Sequence, residues 1–154
     1  MTVRSIIIFI FYFFLTSCGF KAVDQNYFKG FDIVTNIKGD DRIVYLLSNY
    51  LKNNSSGSTN KILIKAEIKK DKNIKEKNIK NEITKYEINI STSISYQILN
   101  ENKSGSYEVE KKGFYNVNNQ HSVTLNNEKK LIKNLVKQIS EQILNDLRLN
   151  LNDL

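Results

Sequence analysis

The chain has 154 residues, with 23 Lys and Arg against 16 Asp and Glu, one His, one Cys, no Pro and no Trp. That is one domain's worth of polypeptide, and a single Cys excludes an internal disulfide framework and any Cys-cluster metal site. One His beside one Cys leaves too little for zinc or for a Cys–His nucleophile pair, while 40% apolar and 25% charged residues suit a folded rather than a disordered chain.

Residues 1–17 read as a signal peptide and not as fold. Arg4 supplies the positive start, and Ile6 to Leu15 is an unbroken run of ten apolar residues. As a helix that run spans about 15 Å, half of a hydrocarbon core of roughly 30 Å, so a transmembrane helix is the weaker reading. Leu15-Thr16-Ser17-Cys18 follows directly and resembles the bacterial lipobox. The resemblance implies a diacylglyceryl group on the Cys18 sulfur, cleavage just before it, and a tri-acylated, palmitate-type membrane anchor, since firm anchoring needs two or more chains. Gly19 follows the Cys in place of the Asp that marks inner-membrane retention, which implies the outer membrane on its periplasmic side.

Residues 18–29 then read as a lipidated tether, and 30–154 as a single domain. A first strand is expected over Phe31 to Ile37, with Phe31, Ile33, Thr35 and Ile37 on one face at period two. Gly39-Asp40-Asp41 makes a turn into a helix, its carboxylates suited to the positive helix end. Ile43, Leu46, Leu47, Tyr50 and Leu51 give that helix an apolar stripe to about Lys52. After the polar loop Asn53 to Asn60, a second strand is expected over Lys61 to Lys69. Lys69 to Glu82 reads as a long lysine-rich hairpin loop. The third strand is the clearest element: Tyr86, Ile88, Ile90, Thr92, Ile94, Tyr96 and Ile98 alternate without a break. A turn at Asn100 to Gly105 leads to a fourth strand, Tyr107 to Tyr115, with a bulge expected at Gly113. A loop over Asn116 to Thr124 holds His121, read as a surface residue. The last element is a helix from Leu125 to about Leu149 with Thr124 as N-cap. One-sided strands and one-sided helices in the order β-α-β-β-β-α predict an α+β fold: a two-layer sandwich, a four-stranded mixed sheet with two helices on one face.

The chain contains no nucleophile elbow, P-loop, dinucleotide glycine motif, HExxH or calcium loop, and Asp40-Asp41 is accounted for by capping. No catalytic residue, metal ligand or cofactor is therefore expected, and a binding or assembly role is favoured over an enzyme. The charge asymmetry concentrates at Lys69, Lys70, Lys72, Lys75, Lys77 and Lys80, set against only Asp71 and Glu76 over residues 69–80. A solvated loop is the plain reading. The functional one is an anion site, and in an outer-membrane compartment the abundant anion is lipopolysaccharide; nucleic acid is not an expected partner. Several Lys point charges suit such a diffuse target. Asn89, Ser91, Ser93, Ser95 and Gln97 on the open face of the third strand are uncharged; simple solvent exposure is the plain reading, and a surface meeting a partner or sugar is the functional one.

Taken together, the Leu15-Thr16-Ser17-Cys18-Gly19-Phe20 start, the strand Tyr86 to Leu99, Gly105-Ser106, the strand ending at Tyr115 and the long C-terminal amphipathic helix resemble the lipopolysaccharide-assembly lipoprotein family LptE, in its short alphaproteobacterial form. The first strand-and-helix unit departs too far to match by residue. The resemblance implies a non-enzymatic lipoprotein that plugs and helps assemble the LptD barrel and takes part in lipopolysaccharide insertion. The alternative reading is a periplasmic lipoprotein regulator of a cell-wall synthase, or the auxiliary lipoprotein of a lipid ABC transporter.

Overall fold

The structure is a computed structural model describing residues 31–55 and 58–152; the signal peptide, Cys18 and the tether lie outside the described residues. Six elements follow in chain order: β1 (Phe31–Lys38), α1 (Asp41–Lys52), β2 (Asn60–Lys77), β3 (Ile83–Ile98), β4 (Lys103–Asn116) and α2 (His121–Asn152). The strands form one sheet in the order β1-β2-β3-β4. β1 runs parallel to β2 across the α1 crossover, and β2, β3 and β4 are antiparallel neighbours. The expected mixed four-stranded sheet and β-α-β-β-β-α order are present.

Period two decides which side of the sheet is covered. Ile33 of β1, Ile62, Ile64, Ala66 and Ile68 of β2, Ile88, Ile90, Ile94, Tyr96 and Ile98 of β3, and Val109 and Tyr115 of β4 are buried on one face. They pack with Ile43, Leu47 and Leu51 of α1 and with Ile132, Leu135, Val136, Ile139, Ile143 and Leu147 of α2 in one core. The helix stripes recur every three to four residues because only that spacing keeps apolar side chains on one side of a 3.6-residue turn. α2 runs antiparallel to β4: the Tyr107 hydroxyl donates to the Ile143 carbonyl and the Tyr115 hydroxyl to Glu128. Burial and the nearby Asp146 carboxylate push the Tyr107 hydroxyl's pKa well up.

Four expectations are corrected. The segment after Lys69 is not a loop, because β2 continues to Lys77 and pairs with β3 throughout. Lysine's low strand propensity hid this; what holds the segment extended is the unbroken register with β3, which places Lys72 opposite Ile88 and Ile74 opposite Tyr86. Gly113 is not a bulge, since β3 and β4 pair without a shift. It clears room for α2 instead: a Cβ there would sit 2.7 Å from Leu131 Cδ1. α2 begins four residues early, taking in His121, which is exposed on its first turn. Thr124 is therefore inside the helix, where its hydroxyl accepts from the Asn118 amide and donates to the Asn118 carbonyl. Gly105 belongs to β4, where it makes way for the Tyr96 ring.

The layers differ in length. At about 3.3 Å per residue β2 reaches about 60 Å, whereas α1, at 1.5 Å per residue, covers about 18 Å. The outer half of β2, the start of β3 and the end of β4 thus form an arm that α1 does not reach and α2 covers only in part.

Candidate functional site: the lysine-bearing arm

The arm exists because β1 stops. Its last pair is Lys38 with Glu67, and Gly39 turns the chain away with φ of +142°, so close to β2 that a Cβ there would stand 2.7 Å from the Ile68 carbonyl oxygen. Beyond Ile68 alternation places Lys70, Lys72 and Ile74 on the helix side, and Lys69, Asp71 and Asn73 on the open side.

The helix-side lysines are spent on structure. Lys70 Nζ lies 3.0 Å from Asp40 Oδ2, while the other Asp40 oxygen accepts from the Arg42 and Ile43 amides and caps α1. The Lys70 hydrogen bond holds the Asp40 carboxyl below its ordinary value against the opposing effect of burial. Lys72 Nζ is 2.7 Å from Glu128 Oε2 on α2, which also accepts from the Tyr115 hydroxyl at 2.7 Å. The same ammonium sits 4.5 Å over the Tyr86 ring and 5.5 Å from that of Tyr115, and the two rings stack with centroids 5.6 Å apart. Burial alone would raise the Glu128 pKa, but the hydrogen bonds from Lys72 and Tyr115 outweigh it and hold the group below the ordinary value. Burial and the bond to Glu128 push the Tyr115 hydroxyl up, against the effect of Lys72. This cluster ties the arm to the first turns of α2.

The remaining lysines point elsewhere. On the open face Lys69 lies 3.9 Å from Glu67 with both side chains exposed, and Lys75, at the register shift near the end of β2, lies 3.7 Å from Glu87 and 5.1 Å over the Phe114 ring. At the hairpin tip the Asn78 side chain accepts from the Lys80 and Glu82 amides and donates to the Glu82 carboxylate, and Asn81 takes φ of +61° to close the turn. Lys77 donates to the neutral Asn81 oxygen. The tip thereby presents Lys77, Lys80 and a fully exposed Ile79. The six lysines singled out from the sequence thus divide among helix face, open face and tip. Composition alone missed the anions that reach Lys70, Lys72 and Lys75, because Asp40, Glu87 and Glu128 come from other elements; the cue within reach was the alternation continuing past Ile68.

The uncharged stripe of β3 runs down the centre of the open face. Asn89 donates to Glu110 and Ser93 to Glu108, so carboxylates of β4 border it on one side and Lys65 and Lys69 of β2 on the other. A shallow groove of about 540 Å³ lies across it, lined by Lys65, Ser93, Ser95 and Ser106 among others. Among the described residues no group of three or more His, Cys, Asp or Glu could hold a metal ion, and no helix is long and apolar enough to cross a membrane.

No family model and no curated protein matches the sequence. Solved structures do match in shape. Rare lipoprotein B from Shewanella oneidensis superposes with a TM-score of 0.62 at 10% identity, covering 80% of this chain and 96% of that one. A lipoprotein from Caulobacter crescentus gives 0.58 at 13% identity over 84% and 95% of the two chains. Lipoprotein B from Nitrosomonas europaea gives 0.56 at 14% over 82% and 88%. At these identities the likeness establishes the fold: the α+β sandwich of this chain is one also found in bacterial lipoproteins.

Proposed function

We propose that this chain is a non-enzymatic lipoprotein anchored through Cys18 to the periplasmic side of the outer membrane, where it plugs and helps assemble an LptD-type barrel and takes part in lipopolysaccharide insertion. The observation that carries the reading is the conjunction of a lipobox-like start, Leu15-Thr16-Ser17-Cys18, with a fold that matches solved lipoproteins of three bacteria over 80–84% of this chain. The resemblance of the third strand and the C-terminal helix to the LptE family supplies the specific role. Within it, the arm lysines on the open face and at the tip, Lys69, Lys75, Lys77 and Lys80, contact the anionic groups of lipopolysaccharide; Lys70 and Lys72 hold the arm to the helices that orient it. The test is affinity purification of the full chain in detergent from its own envelope. A plug carries a large outer-membrane barrel with it in stoichiometric amount; a chain recovered alone as a soluble monomer once its anchor is cleaved is a regulator of another kind.

A further inference from the structure

The chain's formal charge of +7 is unevenly neutralised. Some sheet lysines find carboxylates, Lys70 with Asp40, Lys72 with Glu128, Lys75 with Glu87 and Lys85 with Glu76, while others, such as Lys61, Lys65 and Lys112, stand singly on the strands. On α2 the lysines are gathered into one row. Residues 129–140 contain Lys129, Lys130, Lys133 and Lys137 and no Asp or Glu. All four are exposed. Lys137 lies 3.7 Å from Glu141, and the other three have no ion pair among the described residues. Glu128, the nearest acid in sequence, is taken by Lys72 and Tyr115.

The row is also placed where the fold gains nothing from it. Lys129, Lys133 and Lys137 follow at intervals of four, which puts like charges side by side over about 12 Å of helix. Lys129 and Lys133 lie in the N-terminal half of α2 and Lys137 just past its midpoint, and the first turn carries no acid. Behind the row, Ile132, Leu135, Val136 and Ile139 are buried, so the core fixes the lysines on the outer surface of the helix layer.

We propose that this face of α2 rests on the anionic headgroup surface of a phospholipid membrane. Charge complementarity selects the class of surface: over residues 129–140 the exposed side chains are four Lys, Asn134 and Gln138, with no Arg, aromatic or apolar residue among them, and the exposed Leu125 lies one turn before the row; such ammonium point charges suit a mobile lattice of phosphates rather than a planar bidentate ligand or a shaped protein pocket. The length of chain before the structure fits the same surface. Cys18 precedes Phe31 by 13 residues, at most about 45 Å of extended chain. Phe31 opens β1 at the end of the sheet where β3 finishes, the end toward which the C-terminal half of α2 runs. The lysine row lies toward the other end of α2, with Lys133 about 15 Å of helix from Ile143, a distance the tether can span, so acyl chains on Cys18 and the row can meet one bilayer, a lipid group and a basic patch acting as two signals. The contact belongs to the anchored chain before it engages a barrel, so it stands apart from the plug reading.

The experiment uses the mature lipidated chain in vesicles of phosphatidylcholine alone or mixed with phosphatidylglycerol. Brief lysine acetylation is read out by mass spectrometry, which also reports the acylated N-terminal peptide. The expected result is acetylation of Lys129, Lys130, Lys133 and Lys137 slowed by about fivefold or more in the anionic vesicles, with Lys61 and Lys80 unchanged and the effect removed by high salt. The variant Lys129→Gln, Lys133→Gln, Lys137→Gln, altered only on the surface, should keep its circular dichroism spectrum and lose the slowing at Lys130. Equal reactivity in both vesicles overturns the proposal, as does protection in both, which would place the face against protein. Protection seen only after a barrel is added also overturns it.

Discussion

Replacing Gly39 by Ala tests the turn that ends β1 and frees the arm. Two independent costs meet there. With φ of +142° a Cβ lies in a conformation that costs of order 1–3 kcal/mol. That Cβ would also stand 2.7 Å from the Ile68 carbonyl oxygen and 3.0 Å from Ile68 Cβ. The first is backbone within a paired strand and cannot rotate away, so β1 and β2 must separate locally. Together these predict a loss of about 2–4 kcal/mol, or roughly 6–20 °C in Tm for a domain of this size. Gly113→Ala is the control. Its φ is not positive, and the added methyl meets the tip of the Leu131 side chain, which can change rotamer. That substitution should cost less than about 1 kcal/mol. Urea denaturation of the mature chain, with m unchanged, measures both. A Gly39→Ala midpoint within about 0.5 kcal/mol of the parent, or a larger loss from Gly113→Ala, would refute the reasoning.

Further outcomes follow from the same packing. Ile94→Ala and Ile139→Ala, each truncating a residue buried in the joint core, should lose about 2–5 kcal/mol in urea, whereas Ile79→Ala at the fully exposed tip should stay within about 0.5 kcal/mol. The Thr92 hydroxyl is buried without a hydrogen-bond partner, so Thr92→Val should gain about 1 kcal/mol; a loss would mean that the hydroxyl is satisfied. The Glu128 carboxyl titrates below its ordinary value of 4.5 in the folded chain, so its contribution is complete above about that pH and is lost as pH falls through the lower folded value. Glu128→Gln should flatten that acid limb in pH-dependent unfolding, and an unchanged limb would assign it to other carboxylates. Cys18→Ala should leave an uncleaved precursor with no fatty-acid label, and normal labelling of that variant would dismiss lipidation at Cys18.

Period carried most of the fold, and it failed where charge overrode it. Six apolar residues and Thr92 alternating in β3 left one assignment open, and the stripes of α1 and α2 could only face that sheet, so order, layers and core were legible. Beyond Ile68 the same alternation persists, but Lys70 and Lys72 occupy the inward positions. A pattern of hydrophobicity counts them as loop, although the Lys70 ammonium meets Asp40 and that of Lys72 meets Glu128 and lies over the Tyr86 ring. The partners that make those positions tolerable lie 30 and 56 residues away, beyond any local window. The same blindness misplaced the uncompensated charge. Six lysines over residues 69–80 and four over 129–140 both sum to +4 in sequence. Only folding decides which sum survives: a strand is flanked by strands that can carry the opposite sign, while the outer face of a helix on a two-layer sandwich is flanked by solvent. Net charge read along a chain is thus least reliable in sheets, where it is neutralised across the ladder, and most reliable on an outward helix face. By that reasoning α2, more than the arm, carries the field that a distant anion meets first.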